Sequence, residues 1–244
     1  MTQKPVAVIT GASSGIGAAA AKQLVDAGFE VIVGARRMDK LREVAEPIGA
    51  RYMALDVADP ASILKFASEI ERVNVLINNA GGALGLEKVD SAVDEKWITM
   101  YETNVLGTMR MTRALLPKLE ASGNGHIVNV TSIAAFETYS GGAGYTAAKH
   151  AERALTQTLR LELLGKPIRV TDVAPGLTHT EFSLVRFDGD EDRAAKPYEG
   201  LTPLSADDVA DAITYAVTRP PHVNIDEIVI RPVCQARAGL VHRA

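Results

Sequence analysis

One cysteine, Cys234, stands in the 244 residues, so a disulfide framework and a multi-cysteine zinc site are both excluded within one chain. No metal centre is expected. An excess of positive charge is also missing. The 26 Lys and Arg face 30 Asp and Glu, a formal charge of −4, which is the wrong sign for a protein that works by neutralising phosphate backbones. No apolar run approaches the roughly 18 to 20 residues that a membrane span needs, and the opening MTQKPVAVIT enters a strand-like segment without the apolar stretch of a cleavable leader. Nucleic acid and membrane are therefore not expected partners, and a reducing cytoplasm is the expected compartment. Internal repeats, low-complexity tracts and linkers are absent too, which favours a single domain over residues 1–244.

What is present is ordinary globular composition, 47% hydrophobic and 23% charged, in a chain long enough to bury a core without disulfide or metal. Strand-like runs fall at 6–10, 30–35, 51–56, 73–77, 126–131, 168–173 and 225–230, mostly separated by segments with helical spacing of apolar residues. Runs such as VAVIT, VIV and VLI are apolar at consecutive positions, which suits strands covered on both faces. Right-handed crossovers then make the sheet parallel. The expected fold class is α/β, a doubly wound, seven-stranded parallel sheet.

Punctuation agrees with that frame. The helix over 15–27 stops at Gly28, and Asp59-Pro60 opens another with a cap and a first-turn proline. A long helix is expected over 94–120. The segment 176–203, around FDGDEDR, has no period and three hinge-like glycines, Gly176, Gly189 and Gly200. It reads either as a mobile cover over a site or as a surface insertion.

The first strand runs into Thr10-Gly11-Ala12-Ser13-Ser14-Gly15-Ile16-Gly17 and a helix starts at its end, the context in which a glycine-rich string points to a dinucleotide. Gly11 permits a tight turn, Gly15 lets backbone approach a pyrophosphate and Gly17 allows close helix packing, with Ser13, Ser14 and Ile16 in the same cradle. Helix N-terminal amides offer donors and partial positive charge to the phosphates. Folds that use NAD usually carry a carboxylate at the end of the second strand. Here that place reads Gly34-Ala35-Arg36-Arg37, which suits the 2′-phosphate of NADP unless the two arginines form a solvated pair. Asp56-Val57 ends the third strand on the same edge, where the carboxylate either accepts from an adenine amino group or caps its own turn.

A chemical constellation follows. Tyr145 and Lys149 are four residues apart and share one helix face, where an ammonium stabilises a phenolate. Ser132 ends the fifth strand thirteen residues earlier and can donate to the same substrate oxygen. Asn104, in the long helix, marks either a buried water site or a local helix irregularity. Asn78-Asn79-Ala80-Gly81 follows the fourth strand, its amides placed to buttress neighbouring strands and its glycine to approach a cofactor. Pro175-Gly176, then Thr178, supplies a rigid turn and a hydroxyl after the sixth strand.

Taken together, Thr10 to Gly17, Asn78 to Gly81, Asn104, Ser132, Tyr145 with Lys149, and Pro175-Gly176 resemble the short-chain dehydrogenase/reductase family over essentially the whole chain. The resemblance implies a single Rossmann-fold domain, a homotetramer and a catalytic tetrad of Asn104, Ser132, Tyr145 and Lys149. Tyr145 would be the acid/base, Lys149 would also hold the nicotinamide ribose, Ser132 would polarise the substrate carbonyl and Asn104 would position a relay water. GGALGLEK, GLTHTEFSLVRFDGDEDRA, PPHVNIDEI and RPVCQARAGLVHR are similar to the NADP-dependent 3-hydroxy acid dehydrogenases, which act on serine, allo-threonine and 3-hydroxypropionate. A carboxylate substrate needs a cation, and Arg186 in the 176–203 segment is the candidate, the alternative being a surface arginine. Two other readings stand beside this one: a reductase of a bulkier ketone or aldehyde, and a non-catalytic NADP-sensing scaffold on the same fold. His179 and Cys234 carry no assigned role.

Overall fold

The structure, a computed structural model, describes residues 3–244. β1 (Val6–Thr10), β2 (Glu30–Ala35), β3 (Arg51–Ala54), β4 (Val75–Asn78), β5 (Gly125–Val130), β6 (Ile168–Pro175) and β7 (Glu227–Ile230) form one sheet in the order β3-β2-β1-β4-β5-β6-β7. Every neighbouring pair in it is parallel, in register such as Val8 against Ile32 and Leu76 against Ile127. The order reverses between β1 and β4, and ligands of such sheets bind above that point, at the carboxyl ends of the strands.

The consecutive apolar residues are explained by cover on both faces. From β1, Ala7 and Ile9 pack with Ala20 and Leu24 of α1 (Gly15–Asp26), Leu41 of α2 (Met38–Ile48) and Val209 and Ile213 of α9 (Ala206–Val217). Val6 and Val8 face the other way. They meet Ile63 and Phe66 of α3 (Pro60–Ser68), Met111 and Leu115 of α5 (Gly107–Ala121) and Leu159 of α6 (Ala143–Glu162). Each of the buried Val, Leu, Ile, Phe and Met side chains among them contributes about 1.5–3 kcal/mol relative to exposure. Helix ends follow the expected punctuation. Gly28 takes a left-handed φ of 92° just past α1, and the Asp59 side chain accepts from the Ala61 amide with Pro60 in the first turn of α3.

Two expectations are corrected and one element is added. The helix over 94–120 is interrupted: α4 (Asp94–Tyr101) passes into a π-helical turn, Glu102–Leu106, before α5 resumes the α-helical spacing. The segment 176–203 is not without secondary structure, since it holds α7 (Phe182–Arg186), α8 (Glu191–Ala195) and a short 3₁₀ turn, Lys196–Tyr198. Polar bonds help to fasten it: Tyr198 Oη donates to Thr178 O at 3.0 Å and lies 2.9 Å from Ser183 Oγ. The added element lies in the C-terminal residues, where β8 (Gln235–Arg237) and β9 (Leu240–Val241) form a small antiparallel hairpin that no alternation in the sequence announces.

Candidate active site

A cavity of about 640 Å³ lies at the carboxyl edge of the sheet, running from the β1–α1 loop to the segment that carries α7. The loop wraps tightly because two of its glycines hold backbone that other residues rarely adopt: Gly11 has φ 69° and Gly15 φ 56°. A Cβ on Gly11 would come within 2.7 Å of Ala80 Cα, so the loop and the β4 end are built against each other. Gly11, Ser13, Ser14, Gly15 and Ile16 line the cavity, and so do Arg36, Arg37, Asp56 and Val57 at the ends of β2 and β3. Backbone amides opening a helix and two guanidiniums, with no acid among the residues that end β2 itself, suit a dinucleotide bearing an extra phosphate. Asp56 serves its own turn as well as facing the cavity, with Oδ1 accepting from the Ala58 amide at 3.0 Å.

Two residues expected at the cofactor lie behind it. Gly17 does not line the cavity; a Cβ there would stand 2.5 Å from Asn79 Nδ2 and 2.8 Å from Gly11 O, so it is a packing glycine. Asn78 is buried and donates to Asn129 at 2.9 Å and Thr112 at 3.1 Å, tying β4 to β5 and α5. The neighbouring Asn79 is the one that meets the cavity, and its amide nitrogen donates to Thr10 O and Gly11 O at 3.0 and 3.1 Å. In a parallel strand successive side chains point to opposite faces, so the two asparagines of one motif divide buttressing and lining between them. Ala80 and Gly81 line the cavity as expected.

Ser132, Tyr145 and Lys149 converge on the same cavity, together with Pro175, Gly176 and Thr178. The Lys149 Nζ sits 5.9 Å from the Tyr145 ring centre and donates to Val130 O at 3.1 Å. Ser132 Oγ accepts from the Ala134 amide at 3.1 Å, which fixes the hydroxyl at the end of β5. Asn104 does not reach the cavity: it is wholly buried in the π-helical turn, donating to Gly82 O at 2.9 Å and accepting from Gly82 N at 3.1 Å. The π-helical turn is the helix irregularity read for this position. A Cβ on Gly81 would lie 2.6 Å from Asn104 Oδ1, so that glycine allows the amide to hold the strand end.

Electrostatics modify the expectation for the phenol. Burial pushes Tyr145 above its ordinary value of 10, and the favourable pull of Lys149 and the bond from Ser132 only partly offset it. For Lys149, burial opposes the charge, yet Glu152 and Tyr145 beside it hold the ammonium above its ordinary 10.5. At neutral pH the arrangement is thus a phenol ready to donate, backed by a fixed cation.

Arg186, on α7, is buried rather than on the surface. Its Nε donates to Gly85 O at 2.8 Å and its Nη1 to Tyr139 Oη at 3.0 Å, with the guanidinium 5.8 Å from the Tyr145 ring centre. Phe182 packs edge-on against the same tyrosine at 5.6 Å. Across the cavity mouth Glu181 joins α7 to the β2 end, through Arg37 at 2.7 Å and Lys40 at 2.6 Å. Arg37 also donates to Ser13 and Ser14 of the glycine loop, so of the two arginines only Arg36 keeps its charge out of this network. Gln235 of β8 accepts from the Leu177 amide at 2.8 Å and closes the turn after Pro175. His179 packs edge-on against Tyr198 at 4.7 Å and Cys234 lies 3.5 Å from Thr202 O, so both help to seat the segment. Tyr139, Glu181 and Gln235 escaped the sequence reading, whereas Asn79 stands there only among the amides that buttress the strands. None of those three carried a signal in the sequence.

Residues 5–190 match the family model for short chain dehydrogenases. The chain belongs to the short-chain dehydrogenase family. It is 60% identical over 238 residues to an uncharacterised oxidoreductase of Mycobacterium tuberculosis, Rv0484c, covering 98% of this chain and 95% of that one. It is 40% identical over 246 residues to the NADP-dependent 3-hydroxy acid dehydrogenase YdfG of Escherichia coli, covering 98% and 99%. Among solved structures, the closed form of a serine dehydrogenase complexed with NADP+ superimposes with a TM-score of 0.93 at 39% identity, over 98% of this chain and 100% of that one.

Proposed function

We propose that this protein is an NADP-dependent oxidoreductase that interconverts a small 3-hydroxy acid, of the serine, allo-threonine or 3-hydroxypropionate type, with its 3-oxo form. The observation that carries the reading is the buried Arg186 beside Tyr145, on a cavity that also presents Ser132 and Lys149. A guanidinium already fixed by Gly85 O and the Tyr139 hydroxyl is ordered for a carboxylate, and it stands next to the group that handles the hydroxyl proton. The 40% identity to a 3-hydroxy acid dehydrogenase and the likeness to a serine dehydrogenase with NADP+ support it.

Gly11, Ser13 to Ile16, Arg36, Arg37, Asp56, Val57, Ala80, Gly81, Pro175, Gly176 and Thr178 would hold the dinucleotide, with Tyr145 and Lys149 toward the nicotinamide end. When bound, NADP supplies the hydride acceptor for oxidation and the donor for reduction. In oxidation the Tyr145 phenolate takes the hydroxyl proton as the carbinol hydride departs; in reduction the phenol returns a proton to the developing alkoxide. Ser132 donates to the same oxygen, and Lys149 favours the phenolate. Because burial raises the Tyr145 phenol, oxidation gains as pH rises. Asn104 acts through Gly82, by holding the β4 loop in place.

The reading places the enzyme in the cytoplasm as a homotetramer. Among the described residues no helix is long and apolar enough to cross a membrane, and Ile98 and Tyr101 of α4 with Leu161 of α6 leave apolar surface for assembly. The test of substrate class is Arg186→Met. It should raise KM for serine by at least about tenfold, the scale of a lost charge-assisted pair, and leave a neutral ketone nearly unaffected. Equal effects on both would remove the carboxylate role.

A further inference from the structure

A further buried charge stands behind Tyr145 and Lys149 and takes no part in the scheme above. Glu152, one turn beyond Lys149 on α6, is 1% exposed. Its Oε2 accepts from Lys149 Nζ at 2.7 Å, and Thr108 Oγ1 on α5 lies 3.1 Å from its Oε1. The same threonine hydroxyl donates to Asn104 O at 2.9 Å, within the π-helical turn. Asn104, Thr108, Glu152 and Lys149 are therefore one continuous polar chain beneath the cavity, ending at the ammonium that faces Tyr145. A buried carboxylate is costly unless its partner repays it, and an apolar side chain would fit a helix packed against a sheet more cheaply.

We propose that Glu152 is a positioning residue for the reaction: it fixes the Lys149 ammonium against Val130 O and cancels part of its charge, so setting the pH at which Tyr145 yields its proton. The proposal rests on the acid/base role given to Tyr145. Burial is the largest influence on Lys149 and Glu152 the strongest among the charged groups facing it, while the Arg186 guanidinium lies 5.8 Å from the Tyr145 ring centre on the cavity side. Tyr145 is on the same helix, with Tyr139 acting on it from the preceding loop. Asp172 approaches from β6, bonded to Thr131, and Glu227 on β7 is occupied by Arg153 at 3.0 Å. Thr108, Thr156 and Val130 O, from α5, α6 and β5, are neutral. Burial raises the Glu152 carboxyl and Lys149 opposes that rise, while the Glu152 charge itself pushes the Tyr145 phenol upward.

Glu152→Gln keeps an acceptor for Lys149 and a donor for Thr108 but carries no charge. The phenolate of Tyr145 is read by ultraviolet difference titration of the full-length protein against Tyr145→Phe, which requires no substrate. The Tyr145 midpoint should fall by about one pH unit in Glu152→Gln, and the acid limb of kcat/KM for oxidation should move with it. A midpoint unmoved or raised would overturn the proposal, even if the variant melts at lower temperature. Should the glutamine variant fold poorly, Glu152→Met, uncharged and of similar size, carries the same expectation and the same refutation. Failure of wild-type protein to turn over any 3-hydroxy acid would sink the functional reading and leave this titration intact, so the two can fail separately.

Discussion

Asp172 and His126 show how burial sets proton affinity residue by residue. Asp172 is fully buried on β6, where Thr131 Oγ1 donates to Oδ1 at 2.5 Å and Oδ2 has no partner among the described residues. Burial pushes its carboxyl from 3.8 up to about 6. A folded value above the unfolded one contributes stability below pH 3.8 that is lost as pH rises through 6. Above that the ionised carboxylate weakens the fold by an amount on the order of 3 kcal/mol. Asp172→Asn keeps an acceptor for Thr131, so its melting temperature should exceed wild type clearly above pH 6 and scarcely below pH 3.8. A gain independent of pH would contradict this. His126 has the opposite sense, held neutral down to about 3 by burial, so acid weakens the fold between 6.5 and 3. At this scale the sequence was informative where chemistry constrains spacing, as for Tyr145 and Lys149. It was uninformative where only the strand's pleat decides, as for Asn78 against Asn79.

At the scale of elements, the long helix over 94–120 and the 176–203 segment were the places where periodicity misled. Polar Asn104 flagged an irregularity, but its partners in the π-helical turn include Gly82, which no local pattern in the sequence points to, as well as Met100 O one turn back. The covering segment has short helices held by the Tyr198 and Arg186 bonds, by Glu181 and by the single aromatic contacts of Phe182 and Phe187, not by an apolar stripe that a sequence would reveal. The side-chain bonds from Lys40 and Arg37 lower the Glu181 carboxyl from 4.5 to about 2, so the clasp is present above pH 4.5 and is lost as pH falls through 2. Half-exposed ion pairs contribute only about 0–1 kcal/mol to global stability. Glu181→Gln should therefore leave the melting temperature nearly unchanged while amides of α7 exchange with solvent several-fold faster. Unaltered exchange in α7 would show that Glu181 does not fasten the segment.

For the molecule as a whole, the fold was legible because strands buried on both faces write consecutive apolar residues, and the Rossmann order follows from short right-handed connections. The C-terminal hairpin was not legible, since Gln235 matters through one bond to the Leu177 amide rather than through any pattern. The large cavity gathers chemistry from both ends of the sequence: a glycine loop near the start, a tyrosine and lysine on α6, and an arginine from the covering segment. Initial rates with NADP and with NAD test this account most directly, measured against L-serine, D-serine, L-allo-threonine, 3-hydroxypropionate and a neutral secondary alcohol. The account predicts turnover of at least one hydroxy acid with a strong preference for NADP, rising with pH, and little rate on the neutral alcohol. Equal use of the two dinucleotides, or a neutral alcohol turned over as well as the acids, would contradict it.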